Sequence, residues 1–284
     1  MRSMRLPFTG WLAVVSLLIA WPLHVRAASY TFTKIADTSG PFSQFDFPGA
    51  PSINARGVVA FHAGKAGIPG MGDGIFTSTG GSIATIVDTS GPFTGFNDRL
   101  SINDAGTIAF LASVKVGSPG IFTSHAGSIT TIVDTSGPLT AVGIPAINNA
   151  GTVAFFGCLD TLNPSCPLDR TAAQGIFTGD GGPLTTIVDT SGPSGPFSNF
   201  GNPSINNAGM VVFLAFLKAG GSGIFTGPDP VADKVITTGD LLFGFTVTSL
   251  GFLQGLGLND AGQVAFFATL ANGASGVFRA DPVP

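Results

Sequence analysis

The chain has 284 residues, a formal net charge of −4 and 10% charged residues, well below the roughly 25% of an average soluble domain. A mean hydropathy of +0.44 alongside 41 Gly, 20 Pro and 25 Phe excludes disorder and long helices, and points to many short strands between turns. All 16 acids are Asp, and the few bases form no stripe, which argues against nucleic-acid binding because nothing is there to displace counterions from phosphates.

Residues 1–27 read as a secretory signal. Arg2 and Arg5 open it, Leu6 to Leu23 is mostly apolar, and Val25-Arg26-Ala27 has the form of a cleavage site. Pro7, Pro22 and the short apolar centre disfavour the rival reading, an uncleaved anchor. Cleavage removes Trp11, Trp21, Arg2, Arg5 and Arg26 and takes the formal charge from −4 to −7. The expected product is secreted or held at the cell surface, with no membrane span.

From residue 28 to 280 the chain repeats itself five times. Asn-x-x-Gly followed by Ala-Phe or a close variant starts at Asn54, Asn103, Asn148, Asn206 and Asn259, with glycines at Gly57, Gly106, Gly151, Gly209 and Gly262. Gly-Ile-Phe-Thr follows at Gly74, Gly120, Gly175 and Gly223, and as Gly-Val-Phe-Arg at Gly276. Asp-Thr-Ser-Gly-Pro starts at Asp37, Asp88, Asp134 and Asp189. The step from second-motif Gly to third-motif Asp is 14 residues three times, and in the fourth repeat it lands on Thr237. The step from Asn to the next motif's Gly varies, at 20, 17, 27, 17 and 17 residues.

Each repeat predicts four short strands: one ending in Ser-Ile-Asn, then Val-Ala-Phe, Gly-Ile-Phe-Thr and a last one such as Ile-Ala-Thr-Ile-Val-Asp. Asn-x-x-Gly is a tight turn, since Asn bonds backbone two residues on and Gly takes a left-handed conformation cheaply. Strands apolar on both faces need neighbours above and below. The fifth repeat lacks its fourth strand, and Tyr30–Asp37 resembles one. The expected fold is therefore all-β, a five-bladed β-propeller of four-stranded antiparallel blades whose N-terminal strand completes the last blade, which removes an exposed edge. An open solenoid and strung sandwiches are the rival folds. A monomer is expected. Residues 281–284 form a short Pro-rich tail.

The five-fold Asn-x-x-Gly-x-x-Ala-Phe set resembles the NxxGxxAF tandem repeat of bacterial extracellular proteins with varied C-terminal anchors. Val212 departs from it, standing where the motif has Ala. No apolar helix follows Ala280-Asp281-Pro282-Val283-Pro284, so release or an early stop is the expectation. The resemblance implies export and display; it implies no reaction.

In an up-and-down blade the loops of variable length share one end, and the Asn-x-x-Gly turns lie at the other. Variable loops on a rigid scaffold suit a binding face. Asp37, Asp88, Asp134 and Asp189 start loops on that face. Either they converge on a cation, with calcium the candidate, or each closes an Asx turn on the following Ser and Gly; the turn is favoured and no metal is assigned. Cys158 and Cys166 predict a local disulfide in the longest loop, and Asp160 and Arg170 in that loop are candidate ligand contacts. His62 and His125 fall on opposite faces, which excludes a shared catalytic site. The leading reading is a non-catalytic binding scaffold for an extracellular polymer or protein. A carbohydrate-binding propeller is second, with the single mature tyrosine and the core placement of Phe counting against it. A glycosidase or lyase using Asp46 or Asp98 is third.

Overall fold

The computed structural model describes residues 31–45, 50–66, 73–159, 166, 173–191, 195–253, 255 and 257–283. Lys34–Pro284 is one compact unit, and Met1–Thr33 is the other; of the latter only residues 31–33 are described, and they carry no regular structure. The described residues are all-β: five antiparallel sheets follow one another along the chain.

The first sheet holds β1 (Phe42–Phe45), β2 (Ser52–Ile53), β3 (Val59–Lys65), β4 (Asp73–Ser78) and β5 (Ala84–Asp88). The second holds β6 (Phe93–Ile102), β7 (Ile108–Val114), β8 (Gly120–His125) and β9 (Ser128–Asp134). The third holds β10 (Ala141–Val142), β11 (Ala146–Ile147), β12 (Val153–Cys158), β13 (Gln174–Gly179) and β14 (Thr185–Asp189). The fourth holds β15 (Phe197–Phe200), β16 (Ser204–Ile205), β17 (Val211–Leu217), β18 (Ser222–Phe225) and β19 (Lys234–Thr237). The fifth holds β20 (Leu241–Leu242), β21 (Phe245–Gly251), β22 (Val264–Leu270) and β23 (Ser275–Ala280).

Each repeat thus builds one sheet, in the strand order expected. The first strand of each repeat is longer than the motif suggested. In the second sheet it runs unbroken from Phe93 to Ile102, with shifts in register at Phe93/Gly95 and Phe96/Leu100. In the first, third and fourth sheets the same stretch appears as two short pieces on one partner strand. The fifth sheet adds a hairpin, β20 to β21, turned at Phe243 and Gly244, both at positive φ (49° and 85°), as a two-residue loop matched to strand twist requires.

Apolar residues repeat at equivalent positions, so each sheet interface is built from the same parts. Ala60, Ile75 and Val87 of the first sheet pack with Phe93, Phe110 and Phe122 of the second. Ala109, Ile121 and Val133 pack with Phe155 and Phe177 of the third. Ala154, Ile176 and Val188 pack with Phe197, Phe213 and Phe225 of the fourth, and Val212, Ile224 and Ile236 with Phe266 of the fifth. The repeated Ala-Phe puts a small residue on one face of the strand and a ring on the other, because side chains alternate.

The N-terminal expectation needs correction. Residues 31–37 form no strand, and β23 pairs with β22 alone among the described residues. Instead Ile35 and Ala36 pack against Phe42, Phe61, Ala63 and Phe76 of the first sheet. They occupy the repeat positions of Ile86 and Val87, which serve the next interface. The segment therefore packs where an outermost strand would, without pairing. Its end is pinned by the Lys34–Asp37 ion pair at 2.9 Å and by the Asp37 turn.

Candidate functional site

The Asn-x-x-Gly turns form as expected. Asn54 Oδ1 accepts from the Arg56 and Val58 backbone N–H groups, and Gly57 N donates to the Asn54 carbonyl with φ at 75°. The other end of the amide does something the sequence reading missed. Asn54 Nδ2 donates to the Asn103 carbonyl (3.0 Å), Asn103 Nδ2 to that of Asn148 (3.0 Å), Asn148 Nδ2 to that of Asn206 (3.2 Å), and Asn206 Nδ2 to that of Asn259 (3.1 Å). In each of the first four repeats one buried amide both closes its own turn and clasps the next sheet.

A second relay runs beside it. Ala55 N donates to Asp104 Oδ1, Asp104 N to Asn149 Oδ1, Asn149 N to Asn207 Oδ1 and Asn207 N to Asp260 Oδ1. The Ala55 N–H, helped by the Asn149 amide, holds the Asp104 carboxyl below the usual carboxylate range. The relays end at the fifth sheet, where Asn259 Nδ2 turns back to Gln263 Oε1 at 2.8 Å. Both ends are marked in the sequence: Ala55 offers no side-chain acceptor in the first repeat, and Gln263 captures the last amide.

The repeated aspartates sit at the ends of β5, β9 and β14, each the outermost strand of its sheet, or just before the first sheet at Asp37. They do not converge, and among the described residues no group of three or more His, Cys, Asp or Glu is placed to hold a metal. Each closes an Asx turn. Asp37, Asp88, Asp134 and Asp189 accept from the backbone N–H and hydroxyl of Ser39, Ser90, Ser136 and Ser191. The Ser39 and Ser136 hydroxyls hold the Asp37 and Asp134 carboxyls below the usual range. At Asp88 the leading cause of the same shift is Lys65, whose Nζ lies 2.7 Å from Oδ2. Thr237 keeps the register but reverses the roles, donating through N–H and hydroxyl to Asp240 Oδ2.

Cys158 and Cys166 form a disulfide. Both are buried in the interface of the third and fourth sheets, with Ile176 and Phe197, so the bridge is a core element as well as a loop staple. Asp160 and Arg170 lie outside the described residues. So does Asp46; Asp98 falls within β6.

His125 is exposed, its Nδ1 3.1 Å from Thr107 Oγ1. His62 is buried beside Phe96, and its Nε2 lies 2.5 Å from Asp73 Oδ1. The two histidines stand apart, as the sequence implied. Asp73 lines a cavity of about 520 Å³ with Phe96, Asn97, Ser113, Thr135 and Thr140. Its lining comes from the start of β4, from β6, from the end of β7, and from the β7–β8 and β9–β10 connections. A second cavity, of about 320 Å³, is lined from all five repeats: Ile53 and Leu100 on strands, and Ile144, Pro203 and Gly255 on connections, all reach it.

Five repeat-built sheets joined by backbone-to-amide relays, with clefts between them, define an all-β tandem-repeat protein. The chain belongs to a family of unknown function, DUF7453, which matches residues 33–276. No curated protein matches it. Among solved structures it is similar to an oligogalacturonate lyase from Vibrio parahaemolyticus (12% identity, TM-score 0.47), covering 83% of this chain and 65% of that one. An oligogalacturonate lyase in complex with manganese has 9% identity and a TM-score of 0.48, with the same coverage. An arabinanase from Bacillus subtilis has 11% identity and a TM-score of 0.32, covering 81% of this chain and 92% of that one. The chain spans about two thirds of each lyase's length.

Proposed function

We propose that this is an exported, secreted or surface-displayed five-bladed propeller that acts as a non-catalytic binding scaffold for an extracellular polymer or protein. The observation that carries it is the division of the molecule into two ends. At one end the relayed turns hold sheet to sheet with nearly constant geometry; the larger cavity is lined from β4, β6, β7 and the β7–β8 and β9–β10 connections, and in the sequence the connections after the second and fourth strands have unequal lengths. A rigid frame presenting variable loops is what recognition requires, because a pre-ordered surface loses little entropy on binding. The radial arrangement is supported by the cavity that residues of all five repeats line.

Closure of the ring is part of this reading. In the fifth sheet Ala265, Phe267 and Val277 hold the positions of Ala60, His62 and Ile75, which face the next sheet, yet Val277 is 68% exposed and Phe267 47%. The first sheet's ring cluster, Phe42, Phe61 and Phe76, lacks a partner sheet among the described residues. The two faces have the composition of the other four interfaces, and on this reading closure brings them together beside Ile35. That seam is held by apolar contact, without the Asn relay.

The test passes the exported protein over immobilised extracellular polysaccharides and surface proteins, and assays hydrolase and lyase activity on the same polymers. Retention without turnover is expected. Turnover lost in Asp46→Asn or Asp98→Asn with folding unchanged would replace this reading with an enzymatic one.

A further inference from the structure

The first repeat breaks the pattern in one place that packing does not require. The strand position of His62 is Leu111, Phe156, Leu214 and Phe267 in the other repeats, and the position of Asp73 is Pro119, Gln174, Ser222 and Ser275. Four repeats hold an apolar side chain where the first buries an imidazole. Burying a titratable ring carries a desolvation cost that Leu would not, and the partner that offsets it, Asp73, faces the larger cavity. Polar pairs retained against the repeat pattern mark function more often than packing.

The cavity's chemistry is mixed. Asp73 supplies a carboxylate, Asn97 an amide, and Ser113, Thr135 and Thr140 hydroxyls around an apolar floor that includes Leu111. Phe96 forms an aromatic wall, backed by His62, Phe93 and Phe110. Among the described residues, no Lys or Arg lines it. Its volume of about 520 Å³ is in the range of small-ligand sites, roughly 300–1,000 Å³. We propose that this cleft, between the first, second and third sheets, binds one uncharged sugar ring of an extracellular polysaccharide. A single carboxylate accepts from neighbouring hydroxyls, with charge-assisted bonds of about twice the neutral strength. The ring wall covers the sugar's C–H face, and the lack of any cation disfavours acidic sugars. This rests on the binding-scaffold reading and names the ligand class for its variable face.

The test uses the double variant His62→Leu/Asp73→Ser, which gives the first repeat the residues the fourth already carries at Leu214 and Ser222, so the fold has a precedent for it. Cellotetraose, xylotetraose and mannotetraose are titrated against the full chain by calorimetry, with trigalacturonate as the charged contrast. At least one neutral probe should bind, trigalacturonate should bind about tenfold more weakly or not at all, and the double variant should lose about tenfold in affinity with its melting temperature held. Failure of all three neutral probes, preference for trigalacturonate, or equal binding by the double variant would each overturn the proposal. Retention of the chain on a protein, or of the double variant on a polymer, would then leave the scaffold reading standing with its site elsewhere.

Discussion

Asn103→Ala removes one buried amide with two jobs. Its Oδ1 accepts from the Thr107 N–H at 2.9 Å, and its Nδ2 crosses to the Asn148 carbonyl at 3.0 Å. A typical hydrogen bond contributes about 1 kcal/mol net, and leaving a buried partner unsatisfied costs about 1–3 kcal/mol; the sum expected is about 2–4 kcal/mol. Asn259→Ala is the control. Asn259 makes the same turn bonds, to Ala261 and Gln263, but its Nδ2 stays within its own repeat and the residue is exposed. Water replaces those bonds, so about 1 kcal/mol is expected. Urea unfolding followed by far-ultraviolet circular dichroism measures both, a suitable probe because the two tryptophans, Trp11 and Trp21, both precede the repeats. Equal losses in the two variants would show that the turn alone matters, and would refute the relay as a source of cohesion.

Glycine in Gly-Ile-Phe-Thr is a packing requirement wherever an outermost strand lies beside it. A Cβ on Gly120 would sit 2.3 Å from the Val133 carbonyl oxygen, whereas one on Gly276 meets only Phe278 carbons at 3.3 Å. Gly120→Ala should therefore lower stability by about 1–3 kcal/mol or more while Gly276→Ala leaves it nearly unchanged in the same urea assay. Phe267→Lys tests the seam: a closed ring buries the new charge and loses about 2 kcal/mol or more, and an open fifth face loses about 0.5 kcal/mol or less. Replacing both cysteines by Ser should cost about 2.5 kcal/mol from the entropy of so short a loop, read from melting with and without reductant. The Asp88 carboxyl is held down by Lys65, so its contribution is complete above the ordinary value of 3.8 and is lost as pH falls below it. Lys65→Met should flatten that part of the acid-unfolding curve, on which Asp37, Asp104 and Asp134 also act.

The succession of one antiparallel sheet per repeat and the order of its strands were legible because motif spacing constrains them; the split first strands and the added β20 were not. The Asx turns were legible because Asp followed two residues on by Ser is a local device. The relay was not read, although its traces were present. Four of five repeats follow the turn Asn with Asp or Asn, and the first has Ala55; a turn needs no such residue, and only a neighbouring sheet's N–H explains it. The N-terminal segment was read half correctly. Ile35 and Ala36 do stand in for an outermost strand in packing, but pairing depends on where β23 lies, and a local motif says nothing of that. The His62–Asp73 pair was missed as a pair because 11 residues separate its members, and strand pairing alone brings them together.

The same pattern of amides fits the seam proposed between the first and fifth sheets. A relay in which every turn clasps its successor has no natural start, yet a chain has one. Ala55 and Gln263 resolve the mismatch: the first repeat offers no acceptor side chain, and the last turn satisfies its amide internally. Neither end leaves a buried polar group dependent on closure, so the first and fifth sheets can fold before they meet. In the proposed ring the seam would rest on apolar contact, between exposed Phe267 and Val277 on one side and Ile35 over the buried Phe42, Phe61 and Phe76 on the other, which tolerates late and approximate docking better than directed hydrogen bonds do. The cost is an exposed apolar face whenever the seam opens, with β23 beside it as an edge that pairs only with β22 among the described residues. On this argument Phe267→Lys should separate the two roles of that face: it weakens closure, and it suppresses association of the opened chain with a second copy.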